Sequence, residues 1–122
     1  MSPLIQGDFD AAVNVIEPGK YQARIDKVEP TQSKQPDHKD MWVVTFTITQ
    51  EPFIGRKVWA NIMLQANSLW KLRQLAEACG IDMKGRQDFD SSELEGQDVG
   101  VAVVSETYEG KERSKVQSFF QL

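Results

Sequence analysis

Apolar and polar positions alternate with a period of two in "PGKYQARIDKVEP": Tyr21, Ala23 and Ile25 take one side, Lys20, Gln22 and Arg24 the other. This predicts a half-buried strand, opened by a Pro-Gly turn and ended by Pro30. The polar, Pro-containing "TQSKQPDHKD" predicts a loop. "MWVVTFTITQ" is rich in β-branched and aromatic residues and predicts a second strand, with Trp42, Val44, Phe46 and Ile48 inward. After a turn at "EPFIG", the stretch "RKVWANIMLQ" predicts a third. Its Val58, Ala60, Ile62 and Leu64 line one face, and Lys57, Trp59, Asn61 and Met63 line the other.

The period then changes. "NSLWKLRQLAEACG" sets Leu69, Leu72, Leu75, Ala76 and Cys79 on one helical stripe, with Asn67 or Ser68 as N-cap and Gly80 at the left-handed C-terminal position. Residues 81–97 form a polar, acidic connection. "DVGVAVVSETY" and "RSKVQSFFQL" predict a fourth and a fifth strand around an "EGK" turn. Three strands, a helix, then two strands is the order of the OB-fold: an all-β, five-stranded Greek-key barrel with one helix between strands three and four. The 122 residues suit a single domain of this kind, with residues 1–18 as an N-terminal extension.

Composition narrows the class. No apolar run approaches the roughly 20 residues that span a bilayer, and "MSPLIQGDFD" is not a signal peptide, so no membrane association is expected. With one Cys, the chain is expected to be cytoplasmic. Catalysis has little to stand on. His38, the sole His, lies in a hydrophilic loop, and Cys79 lies on the apolar stripe of the helix. There is no Cys/His ligand spacing and no nucleotide-binding Gly motif, so the expectation is no enzyme activity, no metal and no cofactor.

The net charge of −4 disfavours nucleic acid for the molecule as a whole, but its distribution is uneven. Residues 82–98 hold six acids against Lys84 and Arg86, whereas residues 19–81 hold nine Lys and Arg against six acids. Local charge decides phosphate binding. An outward Trp59 beside Lys57 and Asn61 is a stacking platform for bases, with a cation at hand for the backbone. Lys20 and Arg24 share the outward register of strand one; Lys34 and Lys39 follow it, and Arg56 opens strand three. Tyr108, Lys111, Arg113 and Lys115 cluster at the last hairpin. These are the places where an OB-fold meets nucleic acid: strands two and three and the loops flanking them. Trp42 falls on the inward register, so core is its first assignment. Its position at the start of strand two, beside the first loop, keeps it a binding candidate as well. Trp70, off the apolar stripe, caps the barrel end or marks a subunit contact, which leaves a homodimer open.

The succession of "PGKYQARIDKVEP", "FIGRKVWANIML", "LRQLAEACGI" and "LEGQDVGVAVVSETYEGKERSKV" resembles a family of small phage proteins. Its signatures here are Pro-Gly-x-Tyr before strand one, Gly-Arg-x-Val before strand three and Leu-x-Gly-x-x-Val before strand four. The resemblance covers the chain from about residue 8 onward. It implies an OB-fold that binds single-stranded DNA without sequence preference in phage replication or recombination, in the host cytoplasm, with phage or host replication and recombination proteins as partners. Whether RNA is also bound stays open. Many proteins of this functional type carry an acidic tail that recruits partners; here no acid follows Glu112, which puts tail-mediated recruitment in doubt. The competing reading is a protein-interaction module, a phage adaptor or inhibitor, using the same aromatic face.

Overall fold

The structure, a computed structural model, describes residues 16–32 and 39–122, apart from the side chain of Tyr108. Strand β1 (Gly19–Gln32) is the middle of the sheet. It pairs antiparallel with β4 (Asp98–Tyr108) through Gly19 to Arg24, and with β2 (Asp40–Ile48) from Ala23 onward. Strand β3 (Lys57–Met63) adds to β2 and β5 (Lys111–Phe120) adds to β4, giving one antiparallel sheet ordered β3-β2-β1-β4-β5. Helix α1 (Leu69–Ala78) follows β3 in the chain.

The period-two residues build the core. Tyr21, Ala23 and Ile25 of β1, Val44, Phe46 and Ile48 of β2, and Val58, Ala60 and Ile62 of β3 are buried together with Val99, Val101 and Val103 of β4 and Val116 and Phe119 of β5. Burying aliphatic and aromatic side chains of this size stabilises a fold by about 1.5–3 kcal/mol each.

The sheet is not closed as a barrel. Among the described residues β3 and β5 are its edges, with no ladder between them. Twist and curvature nonetheless bring the two edges into contact, and α1 packs against both. Two bulges help the sheet curl: Asp26 is the extra residue on β1, between Ile25 and Lys27, and Gln117 is the extra residue on β5, opposite the step from Ala102 to Val103.

Strand β1 runs through Pro30 instead of ending there, and Thr31 and Gln32 pair with Met41 and Asp40. A proline costs a strand its donor on one side only. β4 has left β1 after Arg24, so among the described residues no strand pairs with that side at Pro30, and the proline is tolerated. The predicted loop shrinks accordingly; Lys34 and His38 lie outside the described residues.

Helix α1 ends as its sequence predicts. Gly80 has φ +84°; its N–H donates to the Glu77 carbonyl at 2.9 Å, and the Ile81 N–H donates to the Ala76 carbonyl at 3.0 Å. That pair of bonds satisfies the last carbonyls and requires the left-handed conformation glycine adopts without penalty. At the other end Ser68 is the N-cap by position but its side chain accepts no cap hydrogen bond, because a 3-10 turn at Ala66–Ser68 leads into the helix. Leu69, assigned to the apolar stripe, is 41% exposed; Leu72, Leu75 and Ala76 are buried.

The acidic connection is ordered rather than merely solvated. Leu94 is fully buried. The Ile25 N–H donates to the Gln97 carbonyl at 2.9 Å, and the Gly96 N–H to the Ile25 carbonyl at 2.8 Å. Asp90 and Glu93 form a capping box, and Arg86 donates two bonds of 2.9 Å to the Glu93 carboxylate.

Candidate nucleic-acid interface

Strands β2 and β3 carry four cross-strand pairs on the face turned away from the core: Met41 with Met63, Val43 with Asn61, Thr45 with Trp59, and Thr47 with Lys57. Trp59 is 38% exposed, since Val58 and Ala60 on either side of it take the inward positions. A Trp stands beside Lys and Asn because this is the outer side of the sheet. Trp59 forms the shared wall of two concavities.

The first concavity lies over β1, β2 and β3, lined in part by Asp26, Lys27, Glu29, Thr45, Lys57 and Trp59. Its cations are compensated. Lys57 donates to the Asp26 carboxylate and, at 2.6 Å, to the Thr47 hydroxyl, and that hydroxyl donates to Asp26. The Lys27 ammonium lies 2.7 Å from a Glu29 carboxylate oxygen. Asp26 reaches Lys57 because it is the extra residue of the β1 bulge, between the Ile25–Phe46 and Lys27–Thr45 pairs. Partial burial pushes its carboxyl up, but the hydrogen bonds from Lys57 and Thr47 outweigh this and hold it below the usual carboxylate range. Lys57, expected to meet a phosphate, is thus held by a carboxylate of its own sheet.

The second concavity, of about 420 Å³, lies between β3 and β5 beside α1. Trp59 and Asn61 form one wall; Glu106, Arg113 and Lys115 form the other; Lys71 enters from the helix. The Arg113 Nε is 2.6 Å from one Glu106 carboxylate oxygen, and the Lys115 ammonium is 3.5 Å from the other. Lys71 is half-buried, and among the described residues no carboxylate pairs with it. Burial holds its ammonium below the ordinary lysine range, and the nearby Lys115 acts in the same direction. Lys71 was not legible as a site residue: it sits in the helix "SLWKLRQL", where a charge reads as solvated.

The remaining candidates divide. Asn61, Arg113 and Lys115 join Trp59. Arg24 shares the cross-strand row of Thr47 and Lys57 and pairs with Asp98 at 3.2 Å. Lys20 does not join them. It lies seven residues from Lys27 along β1, roughly 20 Å away at strand rise, with its ammonium 5.7 Å from the centre of the Phe120 ring. Lys39 and Lys111 are exposed beside the ends of β2 and β5, and Arg56 is half-buried before β3. Tyr108 pairs with Lys111 through its backbone; its side chain lies outside the described part. Trp42 lies on the core side of β2, its ring 6.4 Å from that of Phe89, and so on the face opposite Trp59. Trp70 is 66% exposed and lines an apolar groove with Trp42, Leu69, Met83 and Phe89.

No group of three or more metal-ligating side chains is found among the described residues. Burial, aided by Asp98, pushes the Cys79 thiol up to about 11, which keeps it protonated and unreactive near neutral pH. Among the described residues no helix is long and apolar enough to cross a membrane.

Residues 7–121 match a protein family described as "Protein of unknown function (DUF669)". The chain belongs to this family. A search of curated proteins finds no match. Among solved structures, a chain of "Yeast RPA bound to ssDNA" is similar at 13% identity, with a TM-score of 0.38, over 88% of this chain and 78% of that one. So distant a likeness assigns nothing to this member of the family.

Proposed function

We propose that the protein binds single-stranded DNA without sequence preference and without catalysis, as an OB-like module whose two sheet edges meet beside α1. The observation behind this reading is Trp59: an exposed indole on the outer face of β3, with a concavity on each side and Asn61, Arg113 and Lys115 at hand. An indole on a sheet offers its face to any base, and stacking contributes roughly 1–3 kcal/mol per base whatever the sequence. A role in phage replication or recombination, in the host cytoplasm, follows from the sequence resemblance alone.

A duplex hides the faces of its bases, so the reading requires preference for single strands. The test is titration of labelled oligothymidylate and of blunt duplex at two salt concentrations. Single strands should bind more tightly, and both affinities should fall as salt rises. Equal affinity for duplex and single strand would refute the stacking platform. The groove around Trp70 favours a second reading, a protein-interaction module. An interface anchored there weakens little with salt, which separates the two.

A further inference from the structure

We infer that the cleft between β3, β5 and α1 seats a backbone phosphate of the bound strand, with Lys71 and Lys115 as its cations, so that the strand crosses from Trp59 toward β5 and not toward β1. This rests on the proposed single-strand binding and adds a direction to it.

Charge compensation differs on the two sides of Trp59. Toward β1, Lys57 is held by Asp26 and Lys27 by Glu29, so an arriving phosphate meets two carboxylates as well as two cations. Toward β5 the described lining has Lys71, Arg113 and Lys115 against Glu106 alone. Glu106 already faces Arg113 at 2.6 Å and Lys115 at 3.5 Å, and it leaves Lys71 uncompensated. A half-buried ammonium without a carboxylate, beside a second ammonium, disfavours the free protein on both counts. An anion between Lys71 and Lys115 removes both penalties. The depressed proton affinity of Lys71 is the trace of this arrangement in the unbound protein.

The shape of the site selects the anion. The same cleft is lined from β3 by Trp59 and Asn61. An anion seated there lies next to an aromatic face, as the phosphodiester joined to a stacked nucleoside does. The cleft, at about 420 Å³, has room for a phosphate and its sugar. The chemistry recognised is therefore a phosphodiester carrying a base on the Trp59 side.

The test uses anisotropy titrations of labelled oligothymidylate over a salt series, with the parent, Lys71→Gln, Lys27→Gln and Trp59→Ala. Losing one phosphate contact lowers the slope of log affinity against log salt by about 0.7 for a single strand. Lys71→Gln should lose that much, weaken binding most at low salt, and melt at or above the parent's temperature. Lys27→Gln should keep the parent's slope. Replacing chloride by inorganic phosphate at fixed ionic strength should weaken DNA binding more in the parent than in Lys71→Gln, because the free anion competes with the strand for the same seat.

Lys71→Gln with the parent's slope and affinity, while Trp59→Ala still weakens binding, overturns the seat and leaves single-strand binding standing. A loss of slope in Lys27→Gln equal to that in Lys71→Gln overturns the direction. A phosphate effect equal in the parent and in Lys71→Gln means that no anion competes with the strand at this cleft, which also overturns the inference. A parent that binds no single strand removes both readings together.

Discussion

The concavities on either side of Trp59 share a wall and differ in how their charge is balanced. Over β1 each lysine has a carboxylate from the same sheet: Asp26 for Lys57, Glu29 for Lys27. Between β3 and β5, Lys71 comes from a helix and lies near Lys115, and among the described residues no carboxylate pairs with it. Within a sheet, neighbours of opposite charge satisfy each other across or along strands. Where a helix docks over the place two edge strands meet, that local matching is lost and a cation is left over. A count of basic residues therefore says little about where an anion binds; what counts is which of them already have partners.

Substitution of the shared wall has the largest expected effect. Trp59→Ala should cost roughly 1–3 kcal/mol of single-strand binding, about ten- to a hundredfold in affinity, at high salt as at low. Its fold should survive, because Trp59 lies outside the core. Thermal melting beside the titration checks both. A large fall in melting temperature, with normal binding by the folded fraction, would place this Trp in the core after all.

Asp26→Asn makes the first concavity resemble the second. Lys57, freed from its carboxylate, meets a phosphate only if the strand passes over β1, so with the strand running toward β5 the salt slope should stay at the parent's value. A slope steeper by about 0.7 would mean that the strand passes over β1 once Asp26 is neutral, against the direction assigned to it.

Glu106→Gln makes the second concavity more cationic. Partly exposed ion pairs are worth about 0.2–1 kcal/mol, so low-salt affinity should rise by less than about fivefold. Weaker binding would show that Glu106 positions Arg113 and Lys115 rather than competing for them.

The smallest effect is on stability against pH. Lys71 has a folded-state pKa lowered from the ordinary lysine value of 10.5, so as pH rises toward that value the unfolded chain holds more protons than the folded one, and stability attributable to this group rises with pH. Lys71→Gln, freed of that penalty, should melt above the parent near neutral pH. The gap should close as pH climbs toward 10.5. A gap that is constant with pH would mean that Lys71 is not under strain from burial and Lys115.

Much of the fold was legible in the sequence because strand burial is a local, period-two property. The alternation of Val58, Ala60 and Ile62 against Lys57, Trp59 and Asn61 put the indole outside, and burial agrees. Gly80 marked the end of the helix for the same kind of reason, since the left-handed turn is a property of one residue and its neighbours. Leu94 was hidden, a lone apolar residue among acids, and only its burial shows that the acidic connection is pinned to the core.

The site was legible only in part. Sequence alone determined which side chains point out of each strand. It left open which of them stand together, because that depends on register, bulges and helix docking. The bulge at Asp26 brings a carboxylate to Lys57, 31 positions away. The docking of α1 sets Lys71 beside Lys115, and the covering connection sets Phe89 against Trp42, which keeps that Trp on the core side. Burial along a strand is decided residue by residue. Charge compensation is decided between residues far apart in the chain, so only the tertiary structure could show which cations remain for a ligand.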